Sequence, residues 1–296
     1  MNRERRLATW LGAILGSFCA LALMVAEGHA SDRYGTYTEE FHQTYTLAQG
    51  GRVDLENING AVHITGWDRN EVKVDAVKRA YRKERLDEAK IVVDAGSDYV
   101  SIHTDYPNRE QIFTDDDSDN PATVEYTLMV PRAARLDQIK LINGALDISE
   151  VQGDIIASSI NGRVRAQGLS GRARLKTING HLDARFDRLP NATLELSSVN
   201  GSLELTLPSD AKAELDATTV HGGIEDEFGL SVHDHRFVGH DLHGELGGGG
   251  TRVELRNVNG RISVRRASDN RALSPARDLG SERASDRGND DDDDNL

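Results

Sequence analysis

The apolar and polar positions of this chain fall into a repeated phrase: an aliphatic residue, Asn or His, Gly, any residue, and a second aliphatic residue. It occurs at Ile58-Asn59-Gly60-Ala61-Val62, Ile142-Asn143-Gly144-Ala145-Leu146, Ile160-Asn161-Gly162-Arg163-Val164, Ile178-Asn179-Gly180-His181-Leu182 and Val199-Asn200-Gly201-Ser202-Leu203. Further copies are Val220-His221-Gly222-Gly223-Ile224, Leu242-His243-Gly244-Glu245-Leu246 and Val258-Asn259-Gly260-Arg261-Ile262. In the middle the phrase returns every eighteen residues, and Gly144, Gly153, Gly162, Gly171 and Gly180 stand nine apart. The apolar residues there step by four, two and three, through Ile142, Leu146, Ile148, Val151, Ile155, Ala157 and Ile160 to Ile178. A fixed period of this kind marks a repeat architecture. Each unit reads as a turn at glycine followed by a short strand with two inward side chains.

Two such units complete an eighteen-residue coil, so the predicted fold is all-β: a β-solenoid or β-roll of short strands with a coil of 18–22 residues. Stacked coils would set Asn143, Asn161 and Asn179 above one another as an amide ladder. An antiparallel meander is the alternative that Asn-Gly alone favours, but the return of one residue type to one slot favours the solenoid. Later spacings of 21, 21, 22 and 16 predict short insertions at the later corners. Upstream, alternation at Arg52–Leu55, Ala61–Ile64, Glu71–Val77, Tyr99–Ile102 and Thr123–Val130 predicts strands. The stretch from Arg82 to Lys90 lacks β-branched residues and predicts one short helix. The chain therefore divides into residues 1–30, an N-terminal β region at 31–130 with an acidic loop at 107–121, solenoid repeats at 131–266, and a disordered acidic tail at 267–296.

The run Tyr126-Thr127-Leu128-Met129-Val130-Pro131 leading into the Asn-Gly units resembles the bacterial putative adhesin family of unknown function. So does the close at Gly247-Gly248-Gly249-Gly250-Thr251-Arg252-Val253 through Val258-Asn259-Gly260. The resemblance spans roughly Val53 to Val264 and implies an exported, strand-rich solenoid of the cell envelope. It carries no catalytic residues. His221 and His243 in the Asn slot, the acidic loop and the acidic tail depart from it.

Residues 1–30 change the picture of location. Arg3, Arg5 and Arg6 precede an apolar run from Leu7 to Ala26, and Gly28-His29-Ala30 offers small residues for cleavage before Ser31. That is the pattern of a secretory signal peptide; the run is also long enough to serve as an uncleaved anchor. The single cysteine, Cys19, lies within it, so the remaining chain has no thiol for a disulfide, a metal or a nucleophile. The expected location is the periplasm or the cell surface. Net charge is −14, which disfavours nucleic acid and anionic membrane surfaces as partners.

Chemistry-bearing residues are few. His233, His235, His240 and His243 fall within eleven residues and could ligate Zn or Cu, although the spacing matches no established site and loop decoration explains it as well. The loop Asp115-Asp116-Asp117-Ser118-Asp119-Asn120 lacks the glycine and bidentate Glu that close a calcium site. Asp147, Arg165 and Asp183 should align on successive coils, as should Arg174 and Glu195, and such alternation ordinarily stabilises a ladder. No nucleophile–base motif, phosphate loop or metalloprotease signature is present, so a non-enzymatic reading is favoured and no cofactor is expected. Aromatic sugar stacking has little support, because Trp67 is the only tryptophan beyond residue 30. The sequence thus predicts an exported, adhesin-like binding or structural module for an extended partner, a glycan or a protein. Its alternative is a periplasmic metal-binding protein, and the aliphatic columns are read as core.

Overall fold

A computed structural model describes residues 36–106, 121–234 and 239–279. The segment read as a signal peptide, nearly all of the acidic loop, His235 and residues 280–296 lie outside it. Among the described residues, strands form a ten-stranded and a twelve-stranded sheet, and the core lies between them. The expected solenoid is present. Each strand ending at a corner Asn belongs to one sheet, and the strand that follows the glycine belongs to the other.

The rungs stack in parallel, in the order Asn59, Asn143, Asn161, Asn179, Asn200, Asn259 and His221. This order is not the chain order. The strand Thr251–Asn259 inserts between Leu194–Asn200 and Ala213–His221, so the uneven later spacings record a strand that doubles back. His240–Leu246 runs antiparallel to Ala213–His221, which places His243 opposite Asp216 within a strand. The copy at Leu242–Leu246 is therefore no corner, and the expected eight turns are seven.

The N-terminal β region is not a separate unit. Arg52–Asn59 and Val62–Trp67 pair in parallel with Arg135–Asn143 and Leu146–Ser149 and supply the first rung of the stack. Beyond them, Glu71–Ala80 and Tyr37–Thr46 continue one sheet in antiparallel fashion. The predicted helix is the single turn and a half Lys83–Glu88. Lys78, its side chain 8% exposed, ties it down: Nζ donates to the carbonyls of Leu86 at 3.3 Å and Ala89 at 3.0 Å and pairs with Glu39 at 2.9 Å. A lysine near the last carbonyls of a helix satisfies acceptors that the helix leaves open.

At the other end the expectation of disorder from residue 267 is corrected. Ala276–Asp278 pairs with His240–Leu246, and the buried Ser274 hydroxyl donates to the Ala211 carbonyl at 2.6 Å. Main-chain pairing does not depend on apolar composition, which is why a polar stretch can still close a sheet edge.

The coil interior follows the alternation of the strands and corrects the sequence reading at one position in six. Leu146, Ile148, Val151, Ile155, Ala157, Val164, Ala166, Leu169, Ala173 and Leu175 are buried, as expected. The next inward position is Leu141 on one of the seven rungs and polar on the other six, at Asn57, Ser159, Thr177, Ser198, Asn257 and Thr219. These side chains donate to turn carbonyls of the neighbouring rung: Thr177 to Gly162 at 3.2 Å, Thr219 to Gly260 at 3.1 Å and Asn257 to Gly201 at 2.8 Å. A buried carbonyl without a partner costs roughly 1–3 kcal/mol, so a hydroxyl or amide suits this slot better than an alkyl group. Isoleucine one residue later therefore faces outward.

Burial also fixes the charge state of the phenols beneath the first rung. Tyr126 contacts the Thr104 hydroxyl at 2.7 Å, and its ionisation is pushed up to about 12 by loss of solvent.

Candidate binding face

Every corner except Gly180 joins two constraints. At Gly201, φ is 139°, and a Cβ there would stand 2.0 Å from the Gly180 carbonyl oxygen of the next rung. The same close approach recurs at Gly60, Gly144, Gly162, Gly180, Gly222 and Gly260. Stacking glycine on glycine brings the preceding residues into line, and their amides bond in one direction. Nδ2 of Asn143 donates to Oδ1 of Asn59 at 2.9 Å, and Asn161, Asn179, Asn200 and Asn259 repeat the bond at 2.8–2.9 Å. His221 ends the row beside Asn259.

Beside this amide ladder lies a column of β-branched aliphatic residues, in rung order Ile58, Ile142, Ile160, Ile178, Val199, Val258 and Val220. The last five are 39–44% exposed. At about 4.8 Å per rung, seven rungs extend the stripe to roughly 29 Å. Isolated surface aliphatics need no explanation, but a contiguous row bordered by polar groups is the usual mark of an interaction surface. β-Branched residues also suit an outer strand position for conformational reasons alone. That plainer reading does not account for the absence of Thr from all seven positions. The sequence reading had placed these residues in the core; the inward Ser, Thr and Asn displace them.

The next outward column reads Glu56, Lys140, Ser158, Lys176, Ser197, Arg256 and Thr218. Lys140 pairs with Glu56 at 2.8 Å and Arg256 with Glu254 at 3.1 Å. Three cations thus border the stripe on an acidic chain. The other sheet presents a different surface, as expected for a charge ladder. Asp147 accepts from Arg163 at 3.1 Å, and Arg165 donates to Asp183 at 3.3 Å. On the stripe's own sheet Arg174 meets Glu195 with two bonds of 2.5 and 2.7 Å, which hold the Glu195 carboxyl below its ordinary range.

The histidines are spread around the antiparallel end. His233 Nε2 is 3.6 Å from Asp278, and His240 Nε2 is 3.1 Å from Asp234. His240 and His243, three residues apart on one strand, face opposite sides of the sheet. Among the described residues no group of three or more His, Cys, Asp or Glu is close enough to hold a metal ion. Trp67 is also committed: its Nε1 donates to the Glu71 carbonyl at 2.8 Å, and Arg69 lies 4.9 Å from the ring centroid.

Residues 132–265 match the family model described as Toastrack DUF4097. The match covers just under half of the chain. The Toastrack match covers six of the seven rungs; the Asn59 rung precedes it. Among solved structures, a putative cell adhesion protein from Clostridium sporogenes superposes with a TM-score of 0.47 at 13% identity, covering 77% of this chain and 100% of that one. A putative adhesin from Bacteroides fragilis gives 0.34 at 8%, with 77% and 97% covered. A putative lipid binding protein from Parabacteroides distasonis gives 0.27 at 9%, again with 77% and 97% covered. No curated protein matches in sequence. Among the described residues, no helix is long and apolar enough to cross a membrane.

Proposed function

We propose that this protein is an exported, non-enzymatic module of the cell envelope that binds another protein along the aliphatic stripe. The observation that carries the reading is the row Ile160, Ile178, Val199, Val258 and Val220, exposed on five stacked rungs of a rigid face. The partner's chemistry follows from the border. Lys140, Lys176 and Arg256 suit a protein ridge with apolar residues at its crest and carboxylates on its flank, because complementary charge sets orientation and encounter rate. A glycan is less well served, since the stripe is aliphatic and the ring of Trp67 is covered by Arg69. Export is supported by the basic-apolar-small pattern of residues 1–30.

The test is crosslinking in intact cells with the parent and with Ile178→Lys/Val199→Lys, which alters two exposed side chains and no core contact. The expected result is an adduct to a distinct polypeptide, at least tenfold weaker in the double variant and weakened by added salt. An adduct only to another copy of this chain, only to glycan, or equally strong in the variant removes the proposal.

A further inference from the structure

One open sheet edge stands apart from the others. Among the described residues the sheets are closed off elsewhere by Ile224–Asp226, His233–Asp234, Ala276–Asp278 and Lys90–Ala95, strands of two to six residues. Tyr37–Thr46, at the outer side of the ten-stranded sheet, has ten. It pairs with Glu71–Ala80 along its whole length without a bulge, and among the described residues its main chain bonds to no other element. It contains neither proline nor lysine. Proteins ordinarily blunt an open edge with short strands, bulges, Pro or Lys, because its free N–H and C=O groups template the addition of another strand.

Charge does not close this edge either. The net charge of −14 opposes contact between copies of the chain, but the edge is locally balanced. On the inward side Glu39 pairs with Lys78 at 2.9 Å. On the outward side His42 lies 2.7 Å from Asp75 and 3.2 Å from Glu40, and Lys73 meets Asp75 at 2.6 Å. Asp75 first, and then Glu40, raises the affinity of the His42 ring for a proton. His42 and Lys73 then offset Glu40 and Asp75.

The strand is also self-complementary in one register. A two-fold axis normal to a sheet sets one residue of an antiparallel pair opposite itself. With Phe41 on the axis, Glu40 of each copy faces His42 of the other, Tyr37 faces Tyr45, and Thr38 faces Thr44. Opposite charges, aromatic pairs and Thr–Thr pairs are the favourable cross-strand contacts. Tyr37, Phe41 and Tyr45 share one side of the strand, and Tyr37 is 42% exposed. An axis at Glu39 or Glu40 would set carboxylates against each other. An axis at His42 would set Tyr45 against Glu39, and one at Gln43 would take Glu40 off His42 and leave Tyr37 unmatched. Every open sheet has an edge strand, but that alone gives no reason for one register to match in charge, ring and hydroxyl together.

We propose that two copies of this chain join edge to edge through Tyr37–Thr46, antiparallel about a two-fold axis at Phe41. The ten-stranded sheet of one copy then continues into that of the other. This edge lies beyond the Asn59 rung and shares no residue with the stripe, so the dimer stands if the protein-partner reading fails.

Sedimentation equilibrium of the chain as recovered from expressing cells, at about 0.1 mM, tests the proposal. The parent should sediment as a dimer. His42→Glu sets Glu40 against a carboxylate of the second copy on both sides of the axis and should weaken association at least tenfold. Glu40→Lys/His42→Glu restores opposite charges and should recover it. The register is read separately in a Cys19→Ser background. A Glu40→Cys chain mixed with a His42→Cys chain should form an intermolecular disulfide under mild oxidation. Neither should link to its own kind, because those cysteines would stand roughly 8 Å apart, beyond disulfide reach. The proposal is overturned by a monomeric parent, by a dimer that His42→Glu leaves intact or the charge swap does not restore, or by mixed cysteines that fail to link. Disulfides in either cysteine variant alone also overturn it. Circular dichroism on the variants confirms that the fold is retained.

Discussion

Gly201→Ala is expected to cost about 3 kcal/mol or more, because two penalties meet at one atom. The backbone holds φ at 139°, and the added methyl would stand 2.0 Å from the Gly180 carbonyl oxygen and 2.7 Å from its carbon. Relief would require parting two rungs, and every rung beyond would lose register with them. Two other glycines separate the contributions. Gly229, with φ of 92° and open space around it, should cost only the left-handed conformation, about 1–2 kcal/mol on replacement by alanine. Gly223 has neither strain nor a neighbour, and its alanine variant should stay within about 0.5 kcal/mol of the parent. Guanidinium unfolding of the three variants checks the order. Equal losses at Gly201 and Gly223 would mean that the corners are not stacked as described.

The second large effect lies in the interior. Phe186 is 1% exposed and pairs with Leu169 on the neighbouring rung. The buried positions two residues before it and opposite that one, Ala184 and Ala166, are small, so little is available there to fill a void. Phe186→Ala should cost about 3–5 kcal/mol by lost transfer energy and an uncollapsed cavity. Ile178→Ala removes a large side chain from the same coil, yet it should cost less than about 1 kcal/mol, because that side chain is on the outer face. Comparable losses in both variants would contradict the inward and outward assignment on which the stripe depends.

The sequence carried the coil but not its order. Asn143, Asn161 and Asn179 return at a constant interval, and each occupies the rung that its spacing implies. Asn259 stacks on Asn200 although His221 comes between them in the chain, and nothing local to either segment records which edge a strand joins. His243 follows the written motif and still lies mid-strand, because its strand is antiparallel and needs no corner there. The stripe was misread for a different reason. Ile160 and Ile178 fit an apolar beat, whereas the inward slot belongs to Ser159 and Thr177, whose hydroxyls bond turn carbonyls visible only after stacking.

The most direct measurement of the stacked column uses paired cysteines, because the chain beyond residue 30 has none of its own. Val199 and Val258 lie on adjacent rungs, within disulfide reach; Val199 and Val220 are two rungs apart, at roughly 10 Å, beyond it. Under mild oxidation, Val199→Cys/Val258→Cys should close an intramolecular disulfide and Val199→Cys/Val220→Cys should not. Closure of the second pair without the first would place the strands in chain order and contradict the stripe.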